Sequence, residues 1–201
     1  MKIFIIAEIG TNWEGSLFKA RKIITESKKA GADAVKFQMW RASDLYSNTL
    51  PEWEDIKRAE VTFEVAKKLK KISDEVGIDF FCSAFFPEAV DFLESLNVKQ
   101  YKVASRTSAF KDKKSIETLT RKASTKKPII VSMGFGGNRK KIEKIFSNNK
   151  IVFCYCIPEY PLNFKKINLK KAIKFDGFSD HTLGITAPVV FSILKKINKT
   201  K

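Results

Sequence analysis

The sequence predicts an α/β fold, a TIM-type (β/α) barrel of parallel strands, on two observations. Seven short apolar runs alternate with amphipathic, Lys-rich stretches, as strands alternate with helices in a parallel barrel. Each run also ends in a polar side chain of the kind that does chemistry, and such a barrel builds its active site at the C-terminal strand ends. The 201 residues, 44% apolar, suffice for one domain over 1–201 with a sizeable core. A complete eight-unit barrel takes about 250 residues, so the expectation is seven βα units with the eighth missing.

The elements follow in order. The run 3–7 forms a first strand ending at Glu8. A helix over 16–30 starts at the capping residue Ser16 and stops at Gly31. A second strand, 33–38, carries Lys36 and Gln38, and a long loop over 39–60 follows, placed to cover the C-terminal mouth. A helix over 62–76, closed by Gly77, leads to a strand over 79–83 ending in Ser83; Pro87 opens the next helix, 87–96. Strand 99–103 carries Lys102 with Ser105 just beyond, and a helix over 115–123 precedes strand 128–132, which ends in Ser132. After Gly134-Phe135-Gly136-Gly137 come a helix over 140–146, a strand over 151–156 running on to Glu159 and Tyr160, a helix over 169–173, and a strand over 175–179 ending at Ser179, Asp180 and His181. A helix over 186–197 and a Lys-rich tail stand where an eighth strand would be expected. An open, doubly wound sheet is the other parallel solution. The first turn, Gly10-Thr11-Asn12-Trp13-Glu14-Gly15, lacks the GxGxxG pattern of dinucleotide folds, which favours the barrel.

The formal net charge of +16 resides mostly in lysines on helix faces, such as Lys67-Lys68-Lys70-Lys71 and Lys140-Lys141-Lys144. No compact cluster of Arg with aromatics stands out, so solvated faces and a general attraction for anionic metabolites are expected, not nucleic-acid binding. Cys82, Cys154 and Cys156 have no CxxC spacing and fall in strand-like runs, which predicts buried free thiols in a reducing compartment. The apolar run after Met1-Lys2 is too short for a signal segment or a membrane span. The expected location is the cytoplasm, with no membrane partner.

Lys36 and Lys102, with the strand-end hydroxyls of Ser83, Ser105, Ser132 and Ser179, make a cradle for a phosphate and a carboxylate on one small ligand. A Schiff-base lysine is the alternative use of such a residue, less favoured because two lysines are candidates. The Gly134–Gly137 turn could turn backbone N–H groups toward a phosphate or be a plain turn. His181 is the chain's single histidine. It is either a hydrogen-bonded structural residue or a metal ligand beside Asp180, and a metal site would need carboxylate, water and substrate as well. Glu8 is the best placed carboxylate, because the first strand neighbours the last ones when a barrel closes.

Several ordered motifs then narrow the field: Ile6-Ala7-Glu8-Ile9-Gly10-Thr11-Asn12, Gly31-Ala32-Asp33-Ala34-Val35-Lys36-Phe37-Gln38 and Tyr101-Lys102-Val103-Ala104-Ser105. They continue with Lys127-Pro128-Ile129-Ile130-Val131-Ser132-Met133-Gly134, Glu159-Tyr160-Pro161 and Phe178-Ser179-Asp180-His181-Thr182. In order and spacing, over nearly the whole chain, these resemble the sialic acid synthase family, which includes N-acetylneuraminate, legionaminate and pseudaminate synthases. The resemblance implies a barrel enzyme of carbohydrate and polysaccharide biosynthesis. Such an enzyme condenses phosphoenolpyruvate with an N-acylated mannosamine-type sugar to a nine-carbon 2-keto acid and phosphate. It also implies a divalent metal, manganese or magnesium, as Lewis acid on the sugar aldehyde.

Carried over by motif, Lys36 and Lys102 match the donor-binding lysines, and Ser83, Ser105, Ser132 and Ser179 its hydroxyl ligands. Glu8 matches the carboxylate near the reacting carbons, Tyr160 a residue at the sugar and donor site, and His181 one of two metal histidines. Asn12 and Gln38 join the substrate-binding set. The departures are Trp13 where the family's first motif has His, Pro158 before Glu159-Tyr160-Pro161, and Ser83 where some relatives have Thr. The eighth strand with its second metal histidine and the small C-terminal antifreeze-like domain are also expected to be missing. An alternative follows: a catalytically impaired paralogue that binds phosphoenolpyruvate or sugar, or partners a full-length synthase. Either way a homo-oligomer, or a partner polypeptide that completes the barrel, is expected.

Overall fold

In the computed structural model, which describes residues 3–199, the alternation holds. Strand β1 (Ile6–Glu8) is followed by α1 (Leu17–Lys29), β2 (Ala34–Met39), the short α2 (Ala42–Leu45) and α3 (Trp53–Arg58), and α4 (Phe63–Val76). Next come β3 (Asp79–Ala84), α5 (Pro87–Ser95), β4 (Tyr101–Val103), α6 (Ser105–Ser108) and α7 (Lys113–Ser124). The chain continues with β5 (Ile129–Ser132), α8 (Arg139–Ile145), β6 (Ile151–Cys156), a 3₁₀ turn (Phe164–Lys166), α9 (Leu169–Ala172), β7 (Gly177–Ser179) and α10 (Thr186–Lys199). All seven strands are parallel and pair in sequence order, and the sheet curls into a partial barrel. Among the described residues β1 and β7 are its two edges. The expected seven units are therefore present; the end of the Lys-rich tail, 200–201, lies outside the described residues.

Helix starts follow local chemistry. Ser16 Oγ accepts the Lys19 N–H (3.3 Å), Thr62 Oγ1 that of Val65 (3.3 Å), and Asp112 Oδ1 that of Ser115 (2.7 Å), each supplying an acceptor to a donor the first turn would orphan. Three expectations are corrected. The first strand begins at Ile6, because Ile3, Phe4 and Ile5 lie exposed at the edge. The stretch 39–60 is not a bare loop: it holds α2 and α3, the latter with Glu54 and Asp55 in its first turn and Lys57 and Arg58 in its last, matching the helix dipole. It is tied down, since Glu60 accepts the Ala42 N–H (2.9 Å) and Asp44 pairs with Lys114 (2.8 Å). Gly15 lets it approach, because a Cβ there would sit 2.5 Å from the Arg58 carbonyl oxygen. Finally, the strand expected over 99–103 is confined to Tyr101–Val103, and Ser105 just beyond it opens the one-turn helix α6.

The register decides which side chains share a face. Opposite residues in a parallel ladder point the same way, and Glu8↔Lys36, Gln38↔Ser83, Ser83↔Lys102, Ser132↔Cys154 and Cys156↔Ser179 are opposite pairs. With alternation along each strand, Glu8, Lys36, Gln38, Ser83, Lys102, Ser132 and Ser179 all lie on the concave face. The other face carries Val35, Phe37, Met39, Phe80, Tyr101, Val103 and Val131, all buried in the core. A one-residue slip would put the lysines into that apolar layer, so the register is strongly specified.

Candidate active site

Two polar groups meet at the C-terminal end of the sheet. In the first, Lys36, 4% exposed, donates to Ser83 Oγ (3.1 Å) and is ion-paired with Glu8, whose other carboxylate oxygen accepts the Gly10 N–H (3.1 Å). In the second, Lys102, 7% exposed, donates to the Val103 carbonyl (3.1 Å) and to Ser132 Oγ, and Ser132 shares a 2.7 Å hydrogen bond with Ser179. That last contact joins β5 to β7, two strands apart, which requires the curl. Burial pushes the Lys102 ammonium down to about 8, and the charge of Lys36 adds to the shift while Glu8 opposes it. Among the described residues Glu8 is the one carboxylate paired with either lysine. Two buried cations and the exposed Glu8 carboxylate, rimmed by hydroxyls, leave an excess of positive charge at the strand ends, which favours an anion there.

Ser105 does not join this cradle. Its hydroxyl donates to Cys156 Sγ (3.3 Å) and accepts the Gly134 N–H (3.0 Å). Gly134 is needed there, since a Cβ would lie 2.8 Å from that oxygen, and its amide is not free to meet a phosphate. Asp180 does not orient His181 either; it accepts from the N–H and hydroxyl of Thr182 (3.0 Å each). His181 is held through Nδ1, 2.7 Å from the Ile157 carbonyl. A carbonyl only accepts, so Nδ1 carries the proton and Nε2 keeps its lone pair. Burial holds this imidazole below its ordinary pKa. The Tyr160 ring lies on it at 3.9 Å, with Tyr160 itself 76% exposed.

Asn12 is exposed on the first β–α turn, and Gln38 is half-buried beside Gly10. Trp13 points the other way: it is 1% exposed in the core with its indole N–H unpartnered. Next to this turn a cleft of about 330 Å³ is lined by Thr11, Trp40, Tyr46 and Ile56, so the stretch 39–60 borders the mouth. Among the described residues no three His, Cys, Asp or Glu side chains cluster so as to hold a metal ion. The three thiols are free and buried, as expected, and no helix among the described residues is long and apolar enough to cross a membrane.

Sequence reasoning missed Lys122. It sits on α7 among exposed basic residues, yet is fully buried and donates to the carbonyls of Ala84 (2.8 Å) and Lys102 (3.0 Å). Its place on the buried face of α7, in helical register with Ser115, Thr118 and Leu119, was the one available signal.

Known proteins match this architecture. A family model described as the NeuB family matches residues 23–194. The N,N'-diacetyllegionaminic acid synthase of Legionella pneumophila is 32% identical, with 94% of this chain and 60% of that protein covered. A pseudaminic acid synthase of Campylobacter jejuni is 34% identical, with 94% and 61% covered. The crystal structure of a sialic acid synthetase from Leptospira borgpetersenii, in complex with citrate, superposes with a TM-score of 0.83 at 28% identity, over 95% of this chain and 69% of that one. The chain thus spans about three-fifths of the length of the curated relatives it matches.

Proposed function

This chain belongs to the NeuB family, and from that premise we propose that it joins phosphoenolpyruvate to the open-chain aldehyde of an N-acylated, mannosamine-type sugar. The single observation that carries the proposal is the pair of buried lysines on one face, each bonded to a strand-end hydroxyl, with Glu8, ion-paired to Lys36, the one carboxylate bonded to either among the described residues. Lys36 and Lys102 hold the phosphate and carboxylate of the donor, and Ser83, Ser132 and Ser179 fix its oxygens. C3 of phosphoenolpyruvate forms the new bond to the aldehyde carbon as the C2–C3 double bond and the aldehyde C=O bond open, giving an alkoxide, and water adds at the electron-poor C2. The C2–O bond to phosphate then breaks, leaving the 2-keto acid and inorganic phosphate. Glu8 takes the proton the water releases and passes it to the new alkoxide, and the C2 hydroxyl proton leaves with the phosphate as the keto group forms. Asn12, Gln38 and Tyr160 contact the sugar, and the stretch 39–60 selects its acyl group.

A divalent ion, manganese or magnesium, is part of the proposal through family resemblance. When bound it would act as a Lewis acid toward the aldehyde, with His181 as one ligand. The described residues do not by themselves fit a complete site, so no step is routed through the ion. Free thiols favour a reducing compartment, hence the cytoplasm.

One observation favours a second, partner-dependent reading. Among the described residues the sheet is open at β1 and β7, and Val189, Ile193 and Ile197 form an exposed apolar stripe along α10, near the exposed Leu183 and Ile185. An open barrel of this kind would bind the donor and turn over after a second copy or a partner polypeptide completes it. The test is phosphate release from phosphoenolpyruvate with manganese and N-acetylmannosamine or its 6-deoxy analogues, with Lys102→Ala as control. Acceptor-dependent release that disappears in the variant supports the synthase. Donor binding without release supports the partner-dependent form, and absence of donor binding contradicts both.

A further inference from the structure

We propose that Lys122 is a positioning residue for the anion cradle, a third buried cation that acts through the backbone carrying Lys102. The argument begins at the junction of β3 and β4. Their ladder has a single paired position, Ser83↔Lys102, against six between β2 and β3. That one position holds two of the cradle's side chains. Just there the Lys122 ammonium reaches in from α7 and donates to Ala84 O (2.8 Å) at the end of β3 and to Lys102 O (3.0 Å) on β4. The lysine replaces ladder hydrogen bonds with a cross-link, and so fixes Lys102 where its own ammonium reaches Ser132.

A neutral donor could have made the same cross-link, so the charge needs its own reason. Lys122 is 0% exposed and forms no ion pair among the described residues. The charged groups acting on it are Lys102 on β4 and Lys36 on β2, both of its own sign. The other titratable groups on the elements around it are engaged elsewhere or neutral. Asp91 on α5 pairs with Arg121, Glu94 on α5 with Lys127 and the Tyr101 hydroxyl, and Glu143 on α8 with Arg139. Arg106 on α6 adds no negative charge, and burial keeps the Cys82 thiol on β3 protonated. Burial and the two lysines push the Lys122 ammonium down to about 7. Three mutually repelling buried cations are relieved by a multiply charged anion between the strand ends, so binding that anion and protonating Lys122 favour each other.

The inference rests on the synthase reading for the identity of the anion, phosphoenolpyruvate. The experiment titrates phosphoenolpyruvate and, in parallel, inorganic phosphate into wild type, Lys122→Met and Lys122→Gln at pH 6.5 and 8.5, with circular dichroism to establish folding. Gln keeps two N–H donors without the charge. The expected result is a Kd for phosphoenolpyruvate raised about tenfold in Lys122→Met at pH 6.5, a smaller loss in Lys122→Gln, and a ratio to wild type that shrinks at pH 8.5. Folded variants that bind within twofold of wild type at both pH values overturn the proposal. If both variants fail to fold, ¹³Cε-lysine spectra of wild type decide. Phosphoenolpyruvate must raise the titration of both lysines that titrate near neutrality, and movement of only one overturns the proposal. Wild type that binds phosphate but not phosphoenolpyruvate removes the synthase reading, while the Lys122 comparison stands on phosphate.

Discussion

Strands β2 to β5 and the outer strands β1, β6 and β7 belong to one sheet in one register, yet they are finished to different degrees. In the first region the strands are almost wholly buried, covered by α4, α5 and α7, and they enclose Lys36, Lys102 and Lys122. In the second, β1 and β7 are at best half-buried, Tyr160 and Leu183 are 76% and 83% exposed, and the local cluster is no more than Tyr155, Ala172 and Phe191 with a few neighbours. A buried charge needs a rigid, dry setting to be worth its desolvation, and the sealed side supplies one. The open side holds the groups assigned to sugar and metal, His181 and Tyr160. On the proposed reading the contrast sets the two donor lysines, held on the sealed side, against the acceptor and metal groups His181 and Tyr160, while Glu8 on β1 and Ser179 on β7 reach toward the lysines from the less covered strands.

Substitutions can break that separation. The largest effect is expected from Lys102→Ala, which removes a buried cation bonded to Ser132. Turnover should fall by about a hundredfold or more, with donor affinity falling at least tenfold. A change confined to the sugar KM would contradict the assignment. His181→Ala should behave in the opposite way, reducing acceptor-dependent phosphate release by about tenfold to a hundredfold while leaving the phosphoenolpyruvate Kd within about twofold, as measured by calorimetry.

Stability against pH sharpens the same point. With folded values pushed down to about 8 for Lys102 and about 7 for Lys122, the unfolded chain binds more protons than the folded one above pH 7. Stability should therefore rise between pH 7 and 8.5, by on the order of 1–2 kcal/mol. At higher pH the buried thiols of Cys82 and Cys154, held above their usual range, act with the opposite sign. Urea midpoints across this window test the slope, and a fall between pH 7 and 8.5 would contradict it. Added phosphate should stabilise the protein more at pH 7 than at pH 8.5. The smallest effect is expected for Ser105→Ala. Its hydroxyl serves the Gly134 turn and Cys156, so donor affinity should change by less than about threefold, while stability drops by about 1 kcal/mol.

Much of this was legible in the sequence because strand period and chemistry coincide. Glu8, Lys36, Gln38, Ser83, Lys102, Ser132 and Ser179 each close or flank an apolar run, and parallel pairing then brings them to one face. Partners beyond nearest neighbours in sequence were not legible. Ser105 looks like a further cradle hydroxyl until α6 turns it toward Gly134. Asp180 looks like a partner of His181, but a local turn with Thr182 takes it. Lys122 looks like one more surface lysine, because the feature that buries it, the short β3–β4 ladder, exists only in three dimensions. The helices within 39–60 were hidden by Ser, Asn and Pro residues that suggested a loop.

The most direct measurement is calorimetric titration of phosphoenolpyruvate into wild type, Lys102→Ala and His181→Ala at pH 7. The account predicts binding by wild type, equal binding within about twofold by His181→Ala, and at least tenfold weaker binding by Lys102→Ala. Equal weakening in both variants, or unchanged binding in Lys102→Ala, would contradict a donor subsite centred on the two buried lysines.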